Sequence, residues 1–108
     1  MFMAIPDDPL NGMTGFEWDE SNARKIWARH RVTPTEAEEV FLSTPRLFGE
    51  DPAHSDTEPR YVIFGRTSAG RLLSVFFTLR RDSIRVVSAR PMSRKERALY
   101  AEAATEAP

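Results

Sequence analysis

A chain of 108 residues, 41% hydrophobic and 29% charged, makes one small domain with a thin supply of core residues. Its net charge of −1 conceals an asymmetry: residues 60–97 hold ten of the fifteen Lys and Arg against only Asp82 and Glu96, whereas residues 1–59 hold five basic residues against twelve acidic ones. With no cysteine there is no disulfide framework, thiolate metal site or cysteine nucleophile, and two histidines, His30 and His54, are too few for a zinc centre.

Residues 1–14, with Pro6, Asp7, Asp8, Pro9, Asn11 and Gly12, read as an irregular leader. The stretch lacks the basic n-region of a secretion signal, and no run reaches the roughly 18 apolar residues of a membrane span. A cytoplasmic protein with no membrane partner is expected, with one domain over 15–104 and a frayed tail over 105–108. Phe16-Glu17-Trp18 is a short strand candidate. Asp19 or Ser21 caps a helix running to about Arg31, with Ala23, Ile26, Trp27 and His30 on one face. Thr33-Pro34-Thr35-Glu36 is a capping box with proline at the first helical position. The helix it opens has Ala37, Val40 and Phe41 as its apolar stripe and an acidic outer side of Glu36, Glu38 and Glu39, and Pro45 stops it. Arg46-Leu47-Phe48 is a further short strand, and 49–59 a loop.

Three strands follow, over 60–66, 71–80 and 84–90, joined by short turns into an antiparallel meander. The middle strand sets Leu73, Val75, Phe77 and Leu79 on one face, and Leu72, Ser74, Phe76, Thr78 and Arg80 on the other. The second face is apolar at one end only, which predicts partial cover. Ser93-Arg94-Lys95-Glu96 is a second capping box, opening a final helix with Leu99, Tyr100 and Ala103 on one side. The order predicts an α+β domain: two N-terminal helices, a three- to four-stranded antiparallel sheet and a C-terminal helix.

The basic block carries the chemistry. Arg94, Lys95 and Arg97 crowd the first turn of the last helix, against its dipole, an arrangement that makes sense if an anion sits there. Arg90 ends the preceding strand and points near the same spot; the alternative is a solvated basic end paired with the acidic half. Arg66, Arg80 and Arg85 lie on or near strand ends, and their clustering on one sheet is the signal. Glu96 is first a capping-box residue, and beyond that either orients Arg90 or transfers a proton. His30 is a packing group, a partner of the helix dipole or a base. His54 is a solvated loop residue or a mobile base. Tyr100 is a core contact whose hydroxyl is one turn from the helix start. There is no Walker loop, GxGxxG, pair of metal carboxylates or Ser-His-Asp order, which removes nucleoside triphosphate, dinucleotide and hydrolase readings; no cofactor and no metal are expected.

Four stretches together resemble the BrnT family of bacterial type II toxins: Phe16-Glu17-Trp18-Asp19; Ala28-Arg29-His30-Arg31-Val32 followed by Glu36 to Phe41; Asp51-Pro52-Ala53-His54-Ser55; and Gly70-Arg71-Leu72-Leu73 leading through Ile84 to Arg90 into Arg94 to Tyr100. The resemblance spans about residues 16–101. It implies a RelE-like fold and a metal-independent endoribonuclease that halts growth. It also implies a BrnA-like ribbon-helix-helix antitoxin as partner, with operator DNA met only through that antitoxin. The family pattern carries onto His30, Arg66, Arg80, Arg90, Glu96 and Tyr100 as catalytic candidates. The basic block adds Arg85, Arg94, Lys95 and Arg97 as RNA contacts, and a mechanism consistent with both has Arg90 with Arg66 or Arg80 on the phosphate, His30 or Glu96 as base and Tyr100 or an arginine assisting the leaving group. The family usually has glycine after the histidine. Arg31 stands there in this chain, and either accepts a left-handed conformation or ends the helix differently. A catalytically silent module of the same fold, binding nucleic acid or antitoxin, is the alternative reading.

Overall fold

The computed structural model describes residues 10, 12–54 and 58–106. The chain runs β1 (Gly15–Glu17), α1 (Glu20–His30), α2 (Pro34–Leu42), β2 (Leu47–Glu50), a single 3₁₀ turn (Pro52–His54), β3 (Tyr61–Arg66), β4 (Leu72–Arg80), β5 (Ser83–Pro91) and α3 (Arg94–Glu106). The expected leader lies outside the described residues up to residue 9. Leu10 is buried in the core, Met13 packs against it, and the Thr14 N–H donates to the Asp82 carbonyl. At the other end α3 continues through Thr105, whose hydroxyl donates to the Ala101 carbonyl, and residues 107–108 lie outside the described set.

Local chemistry sets the helix ends. The Asp19 carboxylate accepts from the Ser21 and Asn22 N–H groups and starts α1. Thr33 and Glu36 form a reciprocal capping box at α2. Arg31 closes α1 in the left-handed conformation, φ 55° and ψ 42°, with its N–H on the Trp27 carbonyl. The chain thus keeps at Arg31 the helix end that glycine would give, at the cost a Cβ carries there.

The sheet order is β1-β5-β4-β3-β2. The meander β3-β4-β5 is antiparallel, as expected, and both short strand candidates join it, β2 antiparallel to β3 and β1 parallel to β5. The sheet is therefore five-stranded and mixed. β1 pairs by its nonlocal neighbour, which no local pattern announces.

Two cores sandwich the sheet. On one face Ile26 of α1 and Ala37, Val40 and Phe41 of α2 pack on Ile63, Leu73, Val75, Phe77, Ile84, Val86 and Ala89. On the other, Tyr100, Leu99 and Ala103 of α3 cover Leu47, Val62, Phe64, Leu72 and Phe76 with Met92. Trp27, expected on the buried face of α1, is 46% exposed. α1 lies over β5 towards the sheet's edge, so only a narrow stripe at Ile26 finds cover.

Candidate functional site at the β5–α3 junction

β5 does not alternate regularly. Thr78 pairs with Arg85 and Phe77 with Val86, but Phe76 pairs with Ser88 and Ser74 with Arg90, so Val87 is left without a partner in a β-bulge. Strict alternation from Ile84 and Val86 would send Arg90 to the core face. The bulge re-aims it to the α3 face, opposite Ser74.

There the Glu96 carboxylate meets it. Arg90 Nη1 lies 2.6 Å from Glu96 Oε1 and Nη2 2.9 Å from Oε2, a fork-to-fork pair. Glu96 also accepts from the buried Ser74 hydroxyl at 2.9 Å and from the Ser93 N–H at 2.8 Å. The Ser93 hydroxyl accepts in return from the Glu96 N–H, which completes the second capping box. Burial alone would raise the Glu96 pKa, but the bonds from Arg90, Ser93 and Ser74 outweigh it and hold the carboxyl at about 2, below its ordinary 4.5. The same pair raises the Arg90 guanidinium further above its ordinary value. Below Arg90 is the Phe76 ring, with Cζ 5.2 Å from the centroid.

Arg90 is not fully used by these partners. Glu96 takes its end, and the Pro91 carbonyl takes a further Nη1 hydrogen at 3.2 Å. The Nε–H and the second Nη2 hydrogen remain, side by side on one edge of the guanidinium, a geometry that matches two oxygens of a phosphate. Arg94 and Lys95 are exposed on the adjoining first turn of α3, and Arg97 donates to the Met92 carbonyl at 2.8 Å.

The other sequence candidates distribute as follows. Tyr100 follows Glu96 by one turn on the sheet-facing side of α3. Its hydroxyl donates to the Pro45 carbonyl at 2.8 Å, and burial raises its pKa, against an opposing effect of Arg66. Arg66 is exposed at the end of β3 and donates to the Thr44 carbonyl at 3.2 Å. Arg66 pairs with Leu72 while Arg90 pairs with Ser74, so the two arginines share the α3 face with Cα atoms about 12 Å apart.

Arg80 is not brought to this cluster. It lies six residues along β4 from Ser74, about 20 Å away, in an ion pair with Glu58 at 3.1 Å. Arg85, on the same distant half of the sheet, faces Asp19 at 3.8 Å. His30 ends α1 on the opposite face of the sheet, and its carbonyl accepts from Arg71 Nη2 at 2.8 Å. The side chain of His54 lies outside the described residues. Ser74 and Phe76 join the site without having been singled out. Their signal was a lone serine and an aromatic on the second face of β4, readable only once the bulge sets the register.

Residues 18–96 match the family described as the ribonuclease toxin, BrnT, of type II toxin–antitoxin systems. The chain belongs to the BrnT family. Its structure resembles the crystal structure of the Brucella abortus ribonuclease toxin BrnT, with a TM-score of 0.57 and 22% identity, over 75% of this chain and 99% of that one. No curated protein sequence matches the chain. Membership of a type II toxin family implies a cognate antitoxin. Among the described residues no helix is long and apolar enough to cross a membrane.

Proposed function

We propose that this BrnT-family chain is an endoribonuclease that cuts RNA without a metal, with Arg90 holding the scissile phosphate, and that a ribbon-helix-helix antitoxin neutralises it. The observation that carries the reading is the open Nε–Nη2 edge of Arg90, fixed by Glu96 beside the cationic first turn of α3.

In this chemistry the ribose 2′-oxygen bonds to the adjacent phosphorus as the bond from phosphorus to the 5′-oxygen breaks. The proton of the 2′-OH passes to a base, and the 5′-oxygen takes a proton from solvent water or from that base's conjugate acid as it leaves. The products are a 2′,3′-cyclic phosphate and a 5′-OH. Arg90 neutralises the charge that grows on the phosphate, and Arg66 supplies a second cation from the other flank of α3. Glu96 orients Arg90; with its pKa at about 2 and four donors on its oxygens, it takes up no proton at neutral pH. His30, the other candidate base, ends α1 on the opposite face of the sheet, so neither candidate stands as a base beside the phosphate that Arg90 holds. Tyr100 keeps its proton, and its bond to Pro45 holds α3 against the loop before β2.

The test is incubation of the purified chain, freed of antitoxin, with total RNA in excess EDTA, beside Arg90→Ala. Cleavage by the wild type alone supports the reading. Cleavage only with added divalent metal overturns its metal-free part, and equal cleavage by both proteins removes Arg90 from the mechanism. For the partner, a short ribbon-helix-helix protein encoded next to the toxin is expected to co-purify with it and to suppress cleavage.

A further inference from the structure

Away from Arg90, α1 presents an indole to solvent between two arginines. Trp27 is 46% exposed. The Arg31 guanidinium lies over its ring, with Cζ 5.0 Å from the centroid. Arg24, three residues before Trp27 and so its neighbour on the helix surface, is exposed, whereas Lys25 and Arg29, two residues to either side, project to the far side of the helix. The ion pair of Arg24 with Glu20, 3.7 Å apart and largely in solvent, does little to neutralise that arginine. Two local costs coincide here: a tryptophan left half in water, and an arginine in a left-handed conformation that glycine adopts freely. A flat π-surface braced by one guanidinium, with a second arginine one turn away, is what a nucleobase and a flanking phosphate require. It does not suit an amphipathic protein segment, which needs several apolar anchors at helical spacing. Trp27 and Leu42 are the exposed large hydrophobics among the described residues, and Leu42 belongs to α2.

The platform stands at the same end of the sheet as Arg90. The Arg71 guanidinium donates to the His30 carbonyl at 2.8 Å and to the Arg31 carbonyl at 2.7 Å. The next residue, Leu72, accepts from the Met92 N–H at 3.2 Å, two residues beyond Arg90. A strand held at Arg90 on one face reaches α1 by passing round this end.

We propose that Trp27, braced by Arg31, is a stacking platform for a base of single-stranded RNA flanking the phosphate held by Arg90. This rests on the RNA-cleaving reading above. The probe is a fluorescein-labelled, mixed-sequence 2′-O-methyl oligoribonucleotide of about 12 nucleotides, a length spanned by known single-strand sites. It cannot undergo 2′-OH attack, so the full chain reports binding alone. Trp27→Ala is expected to weaken binding about five- to a hundredfold, the worth of one stacked base, and Trp27→Phe less. Arg31→Gly is expected to weaken binding while raising Tm; opposite signs in the two readouts rule out misfolding as the cause. Equal affinity of wild type and Trp27→Ala overturns the platform, as does a wild type that binds no probe. Loss of antitoxin capture by Trp27→Ala with RNA affinity intact overturns it too and gives the patch to the antitoxin. Trp27-dependent binding without cleavage of natural RNA would leave the platform standing and remove the ribonuclease reading. Arg90-dependent cleavage with Trp27-independent binding would do the reverse.

Discussion

Arg90 faces Ser74 across β5 and β4, one residue out of step with the pairing nearer the turn between those strands. That single slip, absorbed at Val87, turns Arg90 from the core to the α3 face and brings the Ser74 hydroxyl and the arginine onto the same carboxylate. Ser74 is fully buried, so its hydroxyl serves Glu96 and not water. Ser74→Ala is expected to lower stability by about 2 kcal/mol, the range for a hydrogen bond to a charged group, measured by urea unfolding. Because the three other donors to Glu96 remain, Arg90 keeps its orientation, and the loss of cleavage should be far smaller than for Arg90→Ala.

Arg90 itself joins two tasks, one edge of its guanidinium on Glu96 and the other free for a phosphate. Removing a donor that stabilises developing charge typically costs on the order of 10²–10³ in rate. Arg90→Ala is expected to fall in that range in a cleavage assay on a defined RNA. Arg90→Lys should recover little, since an ammonium offers no pair of forks and cannot hold Glu96 and a phosphate at once. Recovery to near wild type would mean that charge alone suffices and that the fork geometry does not matter.

The Glu96 pair gives the fold a defined acid sensitivity. Its pKa is lowered from 4.5 to about 2 on folding, so the folded state favours the ionised form. The stabilisation is complete above about pH 4.5 and is lost as pH falls from there towards 2. Glu96→Gln should flatten the stability profile across that window, in urea melts at successive pH values. The amide holds Arg90 less firmly, and a misplaced phosphate-binding group costs up to about 10²-fold in rate. At neutral pH the pH–rate profile of the variant should keep the shape of the wild type, because Glu96 orients Arg90 and exchanges no proton with substrate.

Much of the fold was legible because it is written in local chemistry. The capping residues Asp19, Thr33 and Ser93 each satisfy backbone groups within three residues, so sequence spacing alone identifies them. The alternation of Leu73, Val75 and Phe77 marks the central strand for the same reason. The bulge was not legible: Val87 is a β-branched residue of strong strand propensity, with no glycine to mark a break. Arg90 was nonetheless placed near the start of α3, since it precedes the capping box by three residues; its partners Ser74 and Phe76 needed the register. Arg80 read as an equal of Arg66 because both end strands. They end antiparallel neighbours and so lie at opposite ends of the meander, which depends on pairing and not on composition. Trp27 was misread because helical periodicity tells which residues share a face, and not how wide a stripe of that face the sheet covers.

Gly65 shows how closely α2 is set against β3, and so how Arg66 is positioned. A Cβ at Gly65 would lie 2.9 Å from Val40 Cγ1 and from the Val40 carbonyl oxygen, and would overlap the Ser43 hydroxyl. The Val40 carbonyl is backbone and cannot swing aside, so α2 must shift. Ser43 Oγ accepts from the Arg66 N–H at 3.3 Å, and the Thr44 carbonyl accepts from the Arg66 guanidinium, so the shift reaches Arg66 directly. Gly65→Ala is expected to cost about 1–3 kcal/mol, as overpacking does, and to lower Tm by roughly 4–20 °C. Gly15→Ala is the control, because a Cβ there meets nothing within 4 Å, and its Tm should stay within a few degrees of wild type. Equal Tm values for the two variants would mean that α2 moves off β3 at no cost, and the close contact would then have no part in holding Arg66.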